Sequence, residues 1–275
     1  MGPVLVIGSR DKAGVVEAVQ AVEKRLEHDF GIGAMDLDGK EDLHDVDAKW
    51  ALVFGGDGAI LSAARRMGDR PLPTLAVNFG RLGFLTEIES KQLDDALARV
   101  AEGKVDLRER MRLEVKVGKW KYDALNDAVV TGVRSGRVFH IAARIDGREA
   151  FRYAGDGVVV ATPTGSTAYS LAAGGPILDH ELEAIVITPL CAHALSQRPL
   201  VLPSDHAVEF YLRDEDQAGR VVVDGQVSRR IVPGDKVKVR KAKQPFIFIR
   251  VGLRSYYSRL RKILGWGGGP KYSQL

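Results

Sequence analysis

Four short stretches of the sequence set carboxylates, amides and hydroxyls among glycines in patterns that suit chemistry on a phosphorylated ligand. In VFGGDGAILSAAR, the residues Gly55, Gly56, Asp57 and Gly58 stand between a strand-like apolar run and a helical pattern. Open α/β sheets place their ligands at such carboxyl ends of strands. Glycines let the backbone approach phosphate closely, and a helix N-terminus offers unpaired N–H groups. Asp57 is then a carboxylate aimed at a phosphate site, although an ordinary helix cap would use the same residue. NFGRLGFLTE follows a second strand end, with Asn78, Gly80 and Gly83 in a backbone-rich turn. The expected phosphate-binding residues are Gly55, Gly56, Gly58, Asn78 and Gly80. Phe84 either packs this turn on the core or gives a nucleotide an apolar wall.

The other two stretches suit uncharged parts of a ligand. ALNDAVV sets Asn126 and Asp127 into an apolar strand, where an amide and a carboxylate must find partners or face a cavity. Such a pair can read a base edge and a ribose diol; a bulge or strand-end turn accounts for it equally. YAGDGVVVATPTGSTAYSLAAGGP offers hydroxyls at Thr162, Thr164, Ser166 and Thr167, an aromatic face at Tyr169, and neither lysine nor arginine. A neutral nucleoside fits that composition. The alternative is a turn whose hydroxyls bond to its own backbone.

Other chemistries find little support. The chain has no GxxxxGK[ST] phosphate loop and no GxSxG nucleophile elbow. Its histidines lack metal-ligand spacing and Cys191 has no companion, so no metal held by protein side chains is expected. A single cysteine suits a reducing cytoplasm. With 275 residues, a net charge of +4 and no apolar run of membrane-spanning length, neither a membrane nor a nucleic-acid partner is expected. The N-terminal MGPVLVIGSRD runs straight into a strand pattern without the basic region or cleavage site of a signal peptide.

The elements that must carry these residues fall into two regimes. PVLVIG, WALVFGG and LPTLAVN read as buried strands, separated by helical patterns such as KAGVVEAVQAVEKRLEHDF, with Val15, Val16, Val19, Val22 and Leu26 on one face. KQLDDALARVAEG reads as a further helix capped by Ser90. This rhythm predicts an α/β fold with an open, doubly wound parallel sheet. Past Gly103 the chain becomes a succession of short strand candidates between glycine, proline and aspartate turns, which predicts a β-rich second domain. The expected domains are 1–103 and 104–253, with a C-terminal helix at about 254–265 returning to the first and a loose tail, GWGGGPKYSQL.

Taken in order, GGDG at Gly55–Gly58, NFGRLGFL at Asn78–Leu85, ND at Asn126–Asp127 and GDGVVVATPTGSTAYSLAAGGP at Gly155–Pro176 resemble the NAD kinase family. ITPLCAHALSQRPLVLP and VVVDGQ, at Ile187–Pro203 and Val221–Gln226, fit the same pattern. The resemblance implies a Rossmann-like N-terminal domain and a β-sandwich-like C-terminal domain with NAD bound between them. It also implies Mg2+-dependent transfer of a γ-phosphoryl group from ATP or polyphosphate to the adenosine 2′-hydroxyl of NAD, by a homodimer or homotetramer. Asp57 then corresponds to the catalytic carboxylate, with Gly58 in the same turn. Phe84, Asn126, Asp127, Thr167, Ala168, Tyr169 and Ala172 correspond to NAD contacts, and Asp156 to a polar contact at the other end of the dinucleotide. Cys191 falls near the nicotinamide side as a small packed residue. Asp127 stands where relatives often carry glutamate. Rival readings are a lipid or sugar kinase sharing GGDG and a dinucleotide-binding regulator without catalysis.

Overall fold

In a computed structural model of the chain, residues 1–266 are described apart from 42, 71, 134–137, 195, 215–216 and 253–255. The glycine-rich tail beyond Trp266, residues 267–275, and the first residues of the expected C-terminal helix, 254–255, lie outside the described residues. The chain begins with β1 (Val4–Ile7), α1 (Val15–Asp29), β2 (Ile32–Asp36), β3 (Trp50–Gly55), α2 (Asp57–Met67), β4 (Thr74–Asn78), β5 (Ile88–Glu89), α3 (Leu93–Ala101) and β6 (Asp106–Arg110). It continues through β7 (Leu113–Val117), β8 (Trp120–Ala124), β9 (Asp127–Gly132), β10 (Phe139–Ile145), β11 (Arg148–Gly155), β12 (Gly157–Ala161) and the one-turn α4 (Tyr169–Ala172). Then come β13 (Ala184–Leu190), β14 (Leu200–Pro203), β15 (Val208–Leu212), β16 (Gly219–Val223), β17 (Val227–Ile231) and β18 (Lys236–Lys241). It closes with β19 (Phe246–Arg250) and α5 (Tyr256–Leu264).

Two compact units result. One comprises Met1–Glu109 and the chain from Ile247 onward; the other is Arg110–Phe246. The divisions expected from the sequence fall at 103 and 253. The first unit is built on a seven-stranded sheet of order β2-β1-β3-β4-β19-β6, with β5 beside β4. The pairs β1–β2, β1–β3, β3–β4, β4–β5 and β4–β19 are parallel. Its central strands are buried throughout, as strands covered on both faces must be. α1 turns Val15, Val19, Val22 and Leu26 into that core, each worth roughly 1.5–3 kcal/mol relative to exposure; Val16 is only half buried. The start of α3 differs from expectation. Ser90 opens a 3-10 turn, and the reciprocal capping contacts are made by Glu89 and Gln92.

The second unit is an antiparallel sandwich. Its sheets run β11-β10-β15-β18-β7-β8 and β14-β13-β12-β9-β16-β17. Alternate residues of both, including Val115, Phe210 and Val237 from one and Val130, Val158 and Val221 from the other, meet in one core. The opposite face of the second sheet carries Val129, Val159, Ala161 and Val222, and residues 162–178 pack over part of it. KYDALNDAVVTG, read as one strand, is broken at Leu125–Asn126 into β8 and β9. The amide–carboxylate pair therefore marks a strand start. Among the described residues no helix is long and apolar enough to cross a membrane.

Candidate active site

In the first unit, the loops after β3 and β4 meet at the carboxyl edge of the parallel sheet. Gly56 is the extended N-cap of α2, and Asp57 is its first residue. Asp57 does not cap its own helix. Its Oδ2 accepts the Phe84 N–H at 2.8 Å, and its Oδ1 accepts the Leu85 N–H at 3.0 Å. A Cβ at Gly83 would lie 2.1 Å from Asp57 Oδ1, so the tight fit of carboxylate to turn requires glycine there. Asn78 ends β4 and donates from Nδ2 to the Gly80 carbonyl at 3.2 Å, while its Oδ1 is buried without a partner. The Phe79 N–H reaches the Gly55 carbonyl at 3.1 Å and ties the two glycine turns together. Lys12 Nζ comes within 3.1 Å of the position a Cβ on Gly80 would take. The sequence reading had not singled out this lysine.

Behind this turn lies a buried charge cluster that the sequence reading also missed. Glu87 accepts the Val251 N–H at 3.1 Å and pairs with Arg250 Nε at 2.8 Å and Arg259 Nη2 at 3.5 Å. Burial pushes the Glu87 carboxyl up, and the two arginines pull against it. Arg259, on α5, donates from Nη1 to the Phe84 carbonyl at 2.7 Å. The peptide groups flanking Phe84 are thus held from both sides, by Asp57 through the N–H and by Arg259 through the carbonyl. Phe84 itself is half buried and Leu85 is buried.

The second unit holds Asn126 and Asp127 by a device absent from the sequence reading. Asp224 and Gly225 occupy a hairpin turn between β16 and β17, both with positive φ, closed by the Gln226 N–H to the Val223 carbonyl at 3.0 Å. From there the Asp224 carboxylate accepts three successive N–H groups: Leu125 at 2.8 Å, Asn126 at 2.8 Å and Asp127 at 3.0 Å. Burial pushes the Asp224 carboxyl up, opposed by these bonds and by Arg112. Asp127 is pushed up to about 7, first by burial and then by the Asp224 charge, with the Tyr169 backbone N–H opposing. Asn126 Oδ1 is buried without a hydrogen-bond partner.

The hydroxyl-rich stretch turns inward. Thr162 Oγ1 donates to the Leu125 carbonyl at 2.6 Å and accepts the Gly165 N–H at 2.9 Å. Ser166 bonds the Pro163 carbonyl at 2.6 Å and the Leu178 N–H at 2.9 Å, and Ser170 pairs with Thr188 at 2.8 Å. Thr167 donates to the Thr164 carbonyl at 3.2 Å. These hydroxyls satisfy backbone and one another, because a buried hydroxyl without a partner is costly. The loop reaches Asn126 so closely that a Cβ on Gly165 would lie 2.1 Å from its carbonyl oxygen.

What remains open is a cavity of about 350 Å3 lined by Asn126, Asp127, Ala168, Tyr169 and the Asp224–Gly225 turn, with Val129 and Val222 as its floor. Of the residues expected to meet a ligand, the structure gathers Asn126, Asp127, Ala168 and Tyr169 here. Thr167 and Ala172 are not among the lining residues, and Ala172 is exposed. Asp156 is exposed at the other end of β9, where its carbonyl accepts the Thr131 hydroxyl at 2.8 Å. Cys191 is exposed, with φ of 47°, which corrects the expectation of a packed residue. Its thiol donates to the Asp156 carboxylate, and that contact pushes the thiol up.

The Asp127 position gives a pH prediction with a definite sign. A carboxyl raised from 3.8 to about 7 holds its proton longer in the folded state than in the unfolded chain. Its contribution to stability is fully present below the unfolded value and is lost as pH rises from about 4 to about 7. Asp224, raised by burial, acts in the same direction. Urea midpoints measured across that range should fall in the unaltered chain and fall less in Asp127→Asn.

Comparison with known proteins gives a consistent picture. Residues 10–105 match the ATP-NAD kinase N-terminal domain, and residues 125–251 match the ATP-NAD kinase C-terminal domain. The chain is 35% identical over 277 residues to an NAD kinase of Rhodopirellula baltica, covering 99% of this chain and 89% of that protein. It is 42% identical over 221 residues to one of Heliobacterium modesticaldum, covering 78% of each. Yeast NADH kinase, solved in complex with NADH, shares the fold with a TM-score of 0.83 at 23% identity, over 98% of this chain and 89% of that one. An NAD kinase of Archaeoglobus fulgidus, solved in complex with ATP, superposes with a TM-score of 0.77 at 25% identity, over 96% and 98% of the two chains. Two family domains spanning most of the sequence, on the Rossmann-like and sandwich architectures just described, establish that this chain belongs to the NAD kinase family of phosphotransferases.

Proposed function

We propose that the protein transfers the γ-phosphoryl group of ATP to the adenosine 2′-hydroxyl of NAD, yielding NADP and ADP. Family membership across both domains carries this reading. The relatives solved with ATP and with NADH make a nucleotide donor and a dinucleotide acceptor the natural pair.

Asp57 is the proposed general base. The 2′-oxygen forms a bond to the γ-phosphorus, the bond from that phosphorus to the β,γ-bridging oxygen breaks, and the hydroxyl proton passes to the carboxylate. A carboxylate is a weak base towards an alcohol, and general-base help of this kind is typically worth roughly 10²–10⁴ in rate. Alignment of the reacting groups contributes about 7–11 kcal/mol more. The two backbone N–H bonds fix the carboxylate for that alignment. Gly55, Gly56, Gly58, Asn78 and Gly80 are proposed to meet the phosphates, with Lys12 as a cation beside them. Asn126, Asp127, Ala168 and Tyr169 are proposed to hold a nucleoside of NAD, with Phe84, Asp156, Thr167, Ala172 and Cys191 as further contacts.

A divalent cation fits this arrangement as part of the nucleotide. Among the described residues no cluster of three His, Cys, Asp or Glu is set to hold a metal. Mg2+ is commonly held by substrate phosphates, waters and one or two carboxylates. Asp57 and the unpartnered Oδ1 of Asn78 are oxygens suited to it or to its waters. When bound, it would neutralise charge on the transferring group. We further propose a cytoplasmic homodimer or homotetramer. Purified protein incubated with NAD, Mg2+ and either ATP or polyphosphate tests the reading: NADP should form with ATP, polyphosphate supply is read in the same assay, and no NADP with either donor would refute it.

A further inference from the structure

The proposed NAD cavity has no cation of its own. Its lining is apolar apart from Asn126, Asp127, Tyr169 and Asp224, yet a dinucleotide anchored there carries two phosphates. Arg112, which acts on Asp224, is buried and engaged with Asp123 and the Gln244 carbonyl, whereas exposed cations continue the cavity floor. Val129 of β9 and Val222 of β16 are register partners and both line the cavity. Alternate residues of a strand share a face, so Thr131 and Arg220, also register partners, continue the same floor about 7 Å further on. On its other side Arg220 stands directly opposite Arg230 of β17. Val221 and Val223 point the other way, into the sandwich core.

Like charges directly opposite across two strands destabilise a sheet. Both arginines are exposed, and among the described residues neither has an ion pair or a side-chain hydrogen bond. Charges on an edge strand discourage pairing with another sheet, which accounts for Arg230 on β17. It does not account for Arg220, which lies on the inner strand β16. The Asp156 carbonyl, bonded to the Thr131 hydroxyl, marks the far end of this floor, and Asp127 marks the near end.

We propose that Arg220 and Arg230 form a binding site for the pyrophosphate of the dinucleotide whose nucleoside the cavity takes. This rests on the NAD reading above and adds to it the residues that neutralise the acceptor's phosphates. Arginine suits the role because its planar fork meets phosphate oxygens two at a time.

The test is the full-length double variant Arg220→Gln/Arg230→Gln, titrated calorimetrically with NAD and separately with adenosine. Removing a like-charge pair from an exposed face leaves the fold at least as stable, so the thermal midpoint should hold or rise. NAD affinity should fall about tenfold or more, as expected for lost charged hydrogen bonds, while adenosine affinity and the KM for ATP stay within about twofold. Unchanged NAD affinity would reduce the pair to surface charge and overturn the proposal. A rise in the KM for ATP without loss of NAD affinity would overturn it too, assigning the arginines to the donor. If the unaltered chain binds adenosine and NAD equally, the pyrophosphate site is absent although the nucleoside site stands. If it binds neither, the NAD reading falls first and the proposal with it.

Discussion

Asp57→Asn should turn over at least about 100-fold more slowly than the unaltered chain while binding NAD within severalfold of it. The amide has no useful basicity, so the whole general-base contribution is lost, about 2.7–5.4 kcal/mol of barrier at 1.36 kcal/mol per tenfold. The substitution also costs one orienting contact. Both carboxylate oxygens accept backbone N–H groups, and an amide nitrogen in place of either would face a donor. Single-turnover NADP formation and NAD binding, measured on the same folded preparation, separate these effects. Near-normal turnover would remove Asp57 from the chemistry.

The second large effect is expected at Asp224, which acts on the site without lining up as an obvious motif. Asp224→Ala removes the acceptor of three buried N–H groups, and each unsatisfied donor costs roughly 1–3 kcal/mol. Against this stands relief of repulsion with Asp127, whose carboxyl the Asp224 charge helps to raise. Three donors outweigh one repulsion, so a net loss of about 3 kcal/mol or more is expected in urea unfolding. The KM for NAD should rise as the Asn126–Asp127 turn loosens, and Asp127 should titrate lower. An unchanged unfolding midpoint would mean that water or neighbouring groups replace the clamp.

These two residues show what the sequence could and could not reveal. Asp57 sits in a glycine turn at a strand end, and the apolar run, the turn and the helix pattern all lie within one local window. The same locality made the stripe of α1 and the central strands readable. Asp224 lies 97 residues from Asp127, and its partners are backbone groups, which leave no trace in residue type. Its one local signal was an Asp-Gly turn after a valine run, a hairpin mark that says nothing about where the carboxylate points. Arg259 reaches back 175 residues to Phe84 for the same reason. The threonine- and serine-rich stretch misled in the opposite sense. Its composition suited a ligand, but Thr162, Ser166 and Ser170 are buried and bond inward, leaving Ala168 and Tyr169 to face the cavity. β19 read as one more strand of the second domain, since an apolar FIFIR carries no label for which sheet it joins.

The most direct measurement follows the labelled γ-phosphoryl group of ATP in the presence of NAD, Mg2+ and the purified chain. The label should move to NAD, and the product should serve as oxidant for an NADP-specific dehydrogenase, which requires the phosphate on the adenosine 2′-oxygen. Label transferred instead to a diacylglycerol or a sugar, or released as inorganic phosphate while NAD stays unlabelled, would contradict it.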